Sequence, residues 1–388
     1  MRSGTRAVRW GVPVAAVAVV AGVVAAGPVI AAVQGEPSLP RRTAAELLAD
    51  AAEKWQSGRL PQMSGTIVET ASLGLPALPA AGGATSPLGL LSGSHQAKVW
   101  YGGPDRLRLM VPDEMNESDL VVNGDQVWWW DSAANTATRV KGAPDGAGRP
   151  DAVPYAKTVT PAQAAEEALR AAGTDTEIAI SEDATVAGRA AYQVVLTPKE
   201  AGSLVKEVRL AIDGETLVPL RVQLYAKGTA EPAFEVGFDS VTFTPPAAEN
   251  FAFTPPPGAK VEETTAPSIA RGPHGKDGKD GMDGVDGHDG AAPRVVGDGW
   301  DRVVVVSLPK GFEGDLAGAA DRAKGARDGD GVASLANGMV KVATPVSGEW
   351  GSGRLIRTKL VTALLTDDGR MFAGAVTPEV LYAAAAAK

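Results

Sequence analysis

The sequence predicts a mainly β (α+β) fold, built from short antiparallel strands with few helices. Segments in which apolar and polar residues alternate recur at short intervals between residues 63 and 254, as in half-buried strands. Asn-Gly and Asp-Gly pairs, at Asn123 and Asp213, stand between neighbouring segments and favour tight hairpin turns. With 388 residues, the chain has room for two or three domains of roughly 150 residues each.

Two helices are predicted among these strands. The first begins after Thr43, which forms a capping box with Glu46, and ends before Gly58. The second begins after Thr160, has proline at its first position and glutamine at its third, and ends at Gly173.

The strands have one apolar side. Leu107 and Leu109 alternate with Arg106 and Arg108, and the same pattern recurs further along the chain. After Phe238 the apolar residues change parity, which predicts a bulge. Two helices hardly cover so many strands, so the apolar side either encloses a cavity or forms an ordinary packed core. The predicted strands are 63–70, 96–101, 105–111, 118–123, 126–131, 136–141, 176–182, 190–198, 205–213, 216–227, 233–244 and 250–254.

The N-terminus carries an export signal. Three arginines and no acid lie within residues 1–10, and residues 11–33 contain no charge, as in a signal peptide or a signal-anchor. The apolar run is about as long as the roughly 20 residues of a transmembrane helix. The basic flank keeps the N-terminus inside, so residues from Gln34 onward face outside. Without residues 1–33 the formal charge changes from −9 to −12.

The second half of the chain contains a linker and a further module. Five consecutive Gly-x-Asp triplets begin at Gly275, and residues 262–294 are interpreted as a solvated linker. Residues 295–388 form a small C-terminal α+β module, with strands at 302–308, 355–366 and 370–376 and a last helix from Thr377 to Leu381.

Composition excludes several classes of site. The chain has no cysteine, which excludes disulfides, thiolate metal sites and a catalytic cysteine. His95 is the only histidine outside the linker region, and no nucleotide-binding, hydrolase or metalloprotease motif is present. The acidic chain lacks the basic footprint of a nucleic-acid-binding protein. We therefore expect no catalytic residue, no metal and no cofactor, and a binding protein instead of an enzyme.

Three consecutive tryptophans stand out on the predicted strand 126–131. Trp128 and Trp130 point to one side and Trp129 to the other. Leu107, Leu109 and Val121 are expected on the side of Trp128 and Trp130. The pair is the aromatic wall of a lipid-binding cavity, a part of a plain core, or a stacking surface for carbohydrate or protein.

The order of these segments resembles the LolA-like superfamily, of the type of LolA, LolB and the N-terminal domain of RseB. The resemblance spans approximately residues 42–256 and is carried by a helix followed by Met-Ser-Gly-Thr-Ile-Val-Glu-Thr from Met63, by Val-Asn-Gly-Asp-Gln-Val-Trp-Trp-Trp-Asp from Val122, and by Ile-Asp-Gly-Glu-Thr-Leu-Val-Pro-Leu-Arg-Val from Ile212. The body looks like an exported LolA-family protein of a high-GC actinobacterium.

This resemblance implies an open, incomplete antiparallel β-barrel of about ten strands, covered by helices, over residues 34–261. It implies an extracytoplasmic carrier-like protein that holds the acyl chains of a lipid or a lipoprotein in an apolar cavity. The alternative is an RseB-like envelope-stress sensor that regulates a membrane-bound partner such as an anti-sigma factor. The expected membrane partner is therefore a transporter for carriage or an anti-sigma factor for sensing. The expected location is the outer face of the cell membrane, anchored by the N-terminal segment, or outside the cell after cleavage.

Candidate ligand-binding residues follow from this picture. The lining of the cavity is expected to be apolar, and a Leu-rich insertion between the first two strands is expected to act as a lid or a membrane-contact loop. The lining candidates are Leu107, Leu109, Trp128, Trp130, Val194, Leu196, Leu210, Val222 and Leu224. The lid candidates are Leu73, Leu75, Leu78, Leu88, Leu90 and Leu91.

Overall fold

A computed structural model describes residues 39–56, 60–74, 92–113, 115–142, 160–172, 176–265, 294–307 and 343–387. These residues divide into two compact units. The larger unit takes in the described residues up to Ala201 and from Val205 to Thr265. The smaller unit takes in Gly202–Leu204 and the described residues from Arg294 onward.

The larger unit contains two helices and thirteen strands among its described residues. The helices are α1, Ala44–Gln56, and α2, Pro161–Ala171. The strands are β1 Met63–Ser72, β2 Ser92–Gly103, β3 Arg106–Pro112, β4 Glu117–Asn123, β5 Gln126–Asp131, β6 Thr136–Lys141, β7 Thr176–Ile180, β8 Ala184–Val186, β9 Arg189–Pro198, β10 Val205–Asp213, β11 Pro219–Ala226, β12 Phe234–Thr242 and β13 Lys260–Thr265.

The thirteen strands form one sheet that does not close. Its order is β13-β6-β5-β4-β3-β2-β1-β12-β11-β10-β9-β7, and β8 pairs with β9. Neighbours run antiparallel, except that β13 runs parallel to β6. Within the described part of the chain, no pairing joins β7 to β13 at the two edges. The open antiparallel sheet predicted above is thereby confirmed, with three strands more than expected.

Two local predictions at turns and bulges have different outcomes. On β12, Ser240 pairs with Thr66 and Phe238 pairs with Ile67, which leaves Asp239 as an extra residue and confirms the bulge. The β4–β5 turn lies one residue later than predicted, because Asn123 still pairs with Gln126. Gly124, with φ of 62°, occupies the first loop position, where a positive φ is needed.

Both helices begin at the predicted caps. The backbone N–H of Glu46 donates to Thr43 Oγ1 at 3.2 Å, and the N–H of Thr43 donates to a Glu46 carboxylate oxygen at 3.0 Å. Thr160 and Gln163 form the same reciprocal box at the start of α2, which packs against β11 and β12.

The end of the larger unit differs from the prediction. Residues 250–254 are not a strand: they lie in and after a short 3-10 turn, Ala248–Phe251. The chain then forms β13, which takes up the first residues of the segment 262–294 that was interpreted as linker. The pairing partner of β13 lies more than 100 residues away, so no local pattern indicated it.

The smaller unit has its own sheet and its own core. The elements are β14 Arg294–Val296, β15 Val303–Ser307, β16 Thr344–Gly348, β17 Gly351–Arg357, β18 Thr362–Thr366, β19 Arg370–Gly374 and α3 Pro378–Ala386. The strands run in the order β14-β15-β19-β18-β17-β16, and α3 packs on β18 and β19. The predicted strand 355–366 is two strands joined by a turn, in which Thr358 and Val361 are hydrogen-bonded to each other.

In the part of the chain that the structure describes, no helix has both the length and the apolar composition to cross a bilayer. The segment 1–33, on which the signal and anchor predictions depend, lies outside that part.

Candidate functional site

One side of the large sheet, here called the apolar face, carries rows of side chains that are in register across neighbouring strands. Residues directly opposite each other in a ladder point to the same side of the sheet, so the register identifies the face of each residue. One row consists of Val194, Leu210, Val222, Val236, Glu69 and His95, from β9 to β2. Another consists of Val99, Leu109, Leu120, Trp129 and Thr138, from β2 to β6.

Seven of the nine lining candidates lie on the apolar face. Most are fully or almost fully buried, whereas Leu224 is half-buried. Ile178 continues this face on the edge strand β7 and is 41% exposed. The seven candidates are Leu107, Leu109, Val194, Leu196, Leu210, Val222 and Leu224.

Trp128 and Trp130 lie on the opposite face, so the expectation that they share a face with Leu107 and Leu109 is wrong. The register of β3 with β4 gives the reason. Leu109 pairs with Leu120, which pairs in turn with Trp129, whereas Trp128 pairs with Val121. Trp129 is therefore the tryptophan of the apolar face, and it is half-buried there.

Trp128 and Trp130 belong to a small core on the opposite face. The ring of Phe253 lies 5.6 Å from that of Trp128 and 6.3 Å from that of Trp130, centroid to centroid. Trp130 is buried against Ala137 across the ladder, and the guanidinium of Arg139 lies over the Trp128 ring at 5.9 Å. These contacts favour the plain-core interpretation for this pair.

The segment that leads into α1 is attached to the apolar face. Tyr192, which pairs with Ile212 on this face, donates from its hydroxyl to the carbonyl oxygen of Pro40 at 2.9 Å. The indole N–H of Trp55, near the other end of α1, donates to the carbonyl oxygen of Leu217 at 2.9 Å. The first helix is therefore fixed at both ends to β9 and to the loop after β10.

Glu69 and His95 interrupt the apolar face. They lie opposite each other on β1 and β2, and they are 1% and 9% exposed. Glu69 is flanked on its own strand by buried Ile67 and Ala71 and pairs on its other side with Val236. Two titratable side chains thus meet among aliphatic neighbours on this face. His95 stands out in the sequence as the only histidine outside the linker region, but no sequence signal assigns a role to either residue.

Asp213 anchors the turn between β10 and β11. Arg189 donates from Nε and Nη2 to both carboxylate oxygens, and Thr216 donates to Oδ1 from its N–H and its hydroxyl, each at 2.7 Å. Burial raises the pKa of Asp213, but the bonds from Arg189 and Thr216 outweigh it, so the pKa lies below its usual value.

For Asp119, on the opposite face of β4, burial has a larger effect on the pKa than the hydrogen bond does. Arg108 Nη2 donates to its Oδ2 at 2.5 Å. Burial raises the pKa of Asp119 by more than this bond and the charge of Arg108 lower it, so the pKa lies above its usual value. Asp119 is a structural group of the opposite face, away from the apolar rows.

Of the lid candidates, the structure describes only Leu73, which is buried just after β1. Leu75, Leu78, Leu88, Leu90 and Leu91 lie outside the described residues.

No protein-family model matches the sequence. No curated protein matches it either. Solved structures that resemble the chain include the MucA/MucB complex of Pseudomonas aeruginosa, with 15% identity over 87% of this chain and 96% of that chain and a TM-score of 0.39. LprF from Mycobacterium bovis has 12% identity over 58% of this chain and 100% of that chain, with a TM-score of 0.28.

A LolA superfamily protein from Nitrosomonas europaea has 10% identity over 55% of this chain and 99% of that chain, with a TM-score of 0.22. With identities and TM-scores this low, ligand and partner have to be argued from the residues of this chain. One of these solved structures bears the name of the superfamily that the sequence resembles.

Proposed function

We propose that the larger unit is an extracytoplasmic binding protein that holds the acyl chains of a lipid or a lipoprotein against the apolar face of its open sheet. One observation carries this proposal. The apolar rows extend from β9 to β6, yet only two helices accompany the thirteen strands in the described part of this unit. Two helices are few for a face of this width, and we infer that an apolar guest packs on its half-buried part.

The energetics fit such a guest. Each methylene that moves from water to an apolar surface contributes about 0.8 kcal/mol, so two long acyl chains supply enough free energy for stable retention. The half-buried residues Leu224 and Trp129, with the exposed Ile178 at the edge, are candidates for the part of this surface that a guest covers.

The extracytoplasmic location rests on the sequence of the N-terminal segment, with its arginines and its uncharged run. We assign binding and no catalysis. Among the residues that the structure describes, the buried acid Asp213 is occupied by structural bonds to Arg189 and Thr216.

Native mass spectrometry of the full chain, purified under native conditions, tests the proposal. We expect discrete added masses that denaturation releases as phospholipid or acylated species. A bare protein mass, with no uptake when phospholipid vesicles are offered, would show that the apolar face is an ordinary core.

A matched pair of variants assigns the guest to the apolar face. Leu224→Asp places a carboxylate on this face at a half-buried position, and Val195→Asp places one on the opposite face at a position of similar burial. We expect Leu224→Asp to lose most of its bound lipid and Val195→Asp to keep it. Equal retention by the two variants would contradict the assignment.

The second candidate function is that of a stress sensor, in which lipid occupancy changes the contact with a membrane-bound partner such as an anti-sigma factor. It is supported by the smaller unit, which has its own core and carries a stacked pair, Trp350 and Tyr382, with ring centroids 5.5 Å apart. Binding of a lipid alone does not require this unit. Pull-down of a membrane partner by the lipid-loaded chain but not by the lipid-free chain would favour sensing over carriage.

A further inference from the structure

The row that contains Val194, Leu210, Val222 and Val236 ends on two titratable residues. Four aliphatic side chains in register lead directly to Glu69 on β1 and then to His95 on β2. An apolar row with a carboxyl group near its end is complementary to an amphiphile, which has a hydrocarbon part and a polar part.

Burial of this pair is costly for the fold. A carboxyl group that is 1% exposed among aliphatic side chains loses nearly all its hydration, and an ionised one is tolerated only beside a compensating group. His95, directly opposite in the ladder, lies within reach of the Glu69 side chain, since opposite Cβ atoms are about 4.5–5.5 Å apart. A leucine or valine at either position would continue the row at lower cost, so the pair calls for a functional reason.

The pair lies close to one end of the sheet. β1 ends at Ser72 and β2 begins at Ser92, and both ends are three residues from the pair. One further row, Ala71 with Gly93, lies between the pair and this end, and the larger side chains of Ile67 and Tyr101 lie on the far side of the pair. A lipid that lies on the apolar rows therefore places its headgroup near this end.

We propose that Glu69 and His95 recognise the headgroup of the bound lipid and select headgroups that carry an amine. The carboxylate of Glu69 accepts hydrogen bonds from the ammonium, and His95 holds the carboxylate in place from the neighbouring strand. Since this role presupposes that the apolar face binds a lipid, it rests on the proposed function. An anionic headgroup without an amine is disfavoured by the same carboxylate.

The test compares two phospholipids with identical acyl chains. The full chain is incubated with vesicles of phosphatidylethanolamine or of phosphatidylglycerol, and the retained lipid is measured by native mass spectrometry. We expect retention of phosphatidylethanolamine to exceed that of phosphatidylglycerol by about tenfold, the size expected of one hydrogen bond to a charged group. In Glu69→Gln we expect this preference to be lost, because a neutral amide no longer favours an ammonium over an anionic headgroup.

Glu235→Gln is the control, because it makes the same change on the opposite face of β12, where Glu235 accepts a hydrogen bond from Gln223 Nε2 at 2.7 Å. It is expected to keep the wild-type preference. Circular dichroism and thermal melting show whether each variant folds. If Glu69→Gln does not fold, His95→Gln takes its place, with an expected reduction of the preference by several fold.

Failure of headgroup recognition can be distinguished from failure of the proposed lipid-binding function. If the wild-type chain retains both lipids equally, or if folded Glu69→Gln keeps the wild-type preference, headgroup recognition by this pair is overturned and the lipid-binding function stands. If the wild-type chain retains neither lipid, the proposed function itself is overturned, and the role of the pair with it.

Discussion

Arg189 binds both carboxylate oxygens of Asp213 from the first residue of β9 to the last residue of β10. Asp213 is fully buried, and the same carboxylate also accepts bonds from the backbone of Glu215 and from Thr216. Arg189 further stacks on the ring of Phe243 at 4.7 Å and bonds Glu215 at 2.8 Å. One ion pair therefore fixes the turn after β10 and the beginning of β9 together.

The first prediction concerns the stability that this pair provides. Asp213→Asn removes the buried charged partner of Arg189 and leaves the half-buried guanidinium with exposed Glu215 alone, and we expect a loss of about 1.5–3 kcal/mol in the free energy of unfolding. Urea denaturation followed by circular dichroism measures the loss. Asp239→Asn, at an exposed position of the β12 bulge, is the control and is expected to change stability by less than about 0.5 kcal/mol. Similar losses for both variants would show that the Arg189–Asp213 ion pair contributes no more to stability than an exposed carboxylate.

The second prediction concerns pH. The folded-state pKa of Asp213 lies below its usual value of 3.8, so its stabilisation is present above that value and is lost as the pH falls through the folded pKa. The pKa of Asp119 is raised above 3.8, so its contribution is greatest at low pH and declines as the pH rises through the folded pKa.

Urea titrations of Asp213→Asn and Asp119→Asn between about pH 3 and pH 7 measure the difference. Relative to the wild type, Asp213→Asn is expected to lose more stability as the pH rises, and Asp119→Asn is expected to lose less. Parallel curves for the two variants would contradict the opposite signs of the shifts.

The third prediction uses the two faces of β5. Trp129 lies on the apolar face and Trp128 on the opposite one, so only Trp129 is expected to contact a bound acyl chain. Phospholipids brominated in their acyl chains quench a tryptophan that they touch. We expect Trp129→Phe to remove most of the quenching and Trp128→Phe to leave it nearly unchanged. Loss of quenching in Trp128→Phe but not in Trp129→Phe would place the lipid on the opposite face and contradict the prediction.

The fourth prediction separates the packing around Phe251, on the opposite face of β3, from ligand binding. Phe251 is 1% exposed and lies under the guanidinium of Arg106, 5.7 Å from its ring centroid. Phe251→Ala is expected to cost about 3–5 kcal/mol of stability while lipid retention by the folded fraction stays at the wild-type level. Thermal melting and native mass spectrometry check the two parts, and a selective loss of lipid would show that Phe251 lines the binding site.

Much of the local structure was predictable because its signals are local. The sequence signals for the capping boxes at Thr43 and Thr160 and for the bulge after Phe238 each lie within a few residues. All three features are present in the structure. The face of each candidate residue was harder to predict. It depends on the pairing of β3 with β4, and a register is set by contacts between segments and not within them.

Part of the candidate site was predictable, because the alternation of apolar and polar residues within a strand is also a local signal. Alternation alone identified seven of its lining candidates, since apolar residues two apart share a face. Glu69 on β1 pairs with Val236 on β12, which lies more than 160 residues later in the chain. No pattern within either strand indicates this pairing. The strand β13 was missed because its sequence, Lys-Val-Glu-Glu-Thr-Thr, is charged and its parallel partner β6 is remote.

An open sheet leaves two strands whose outer backbone groups are available to the strand of another molecule, which is a common route to aggregation. At one of these edges, β13 carries Lys260, Glu262 and Glu263, all solvent-exposed. Charged side chains along an edge disfavour the docking of a further strand, because an incoming chain would have to bring them close to its own side chains. The charged composition that concealed this strand from sequence analysis thus protects the sheet from edge-to-edge self-association.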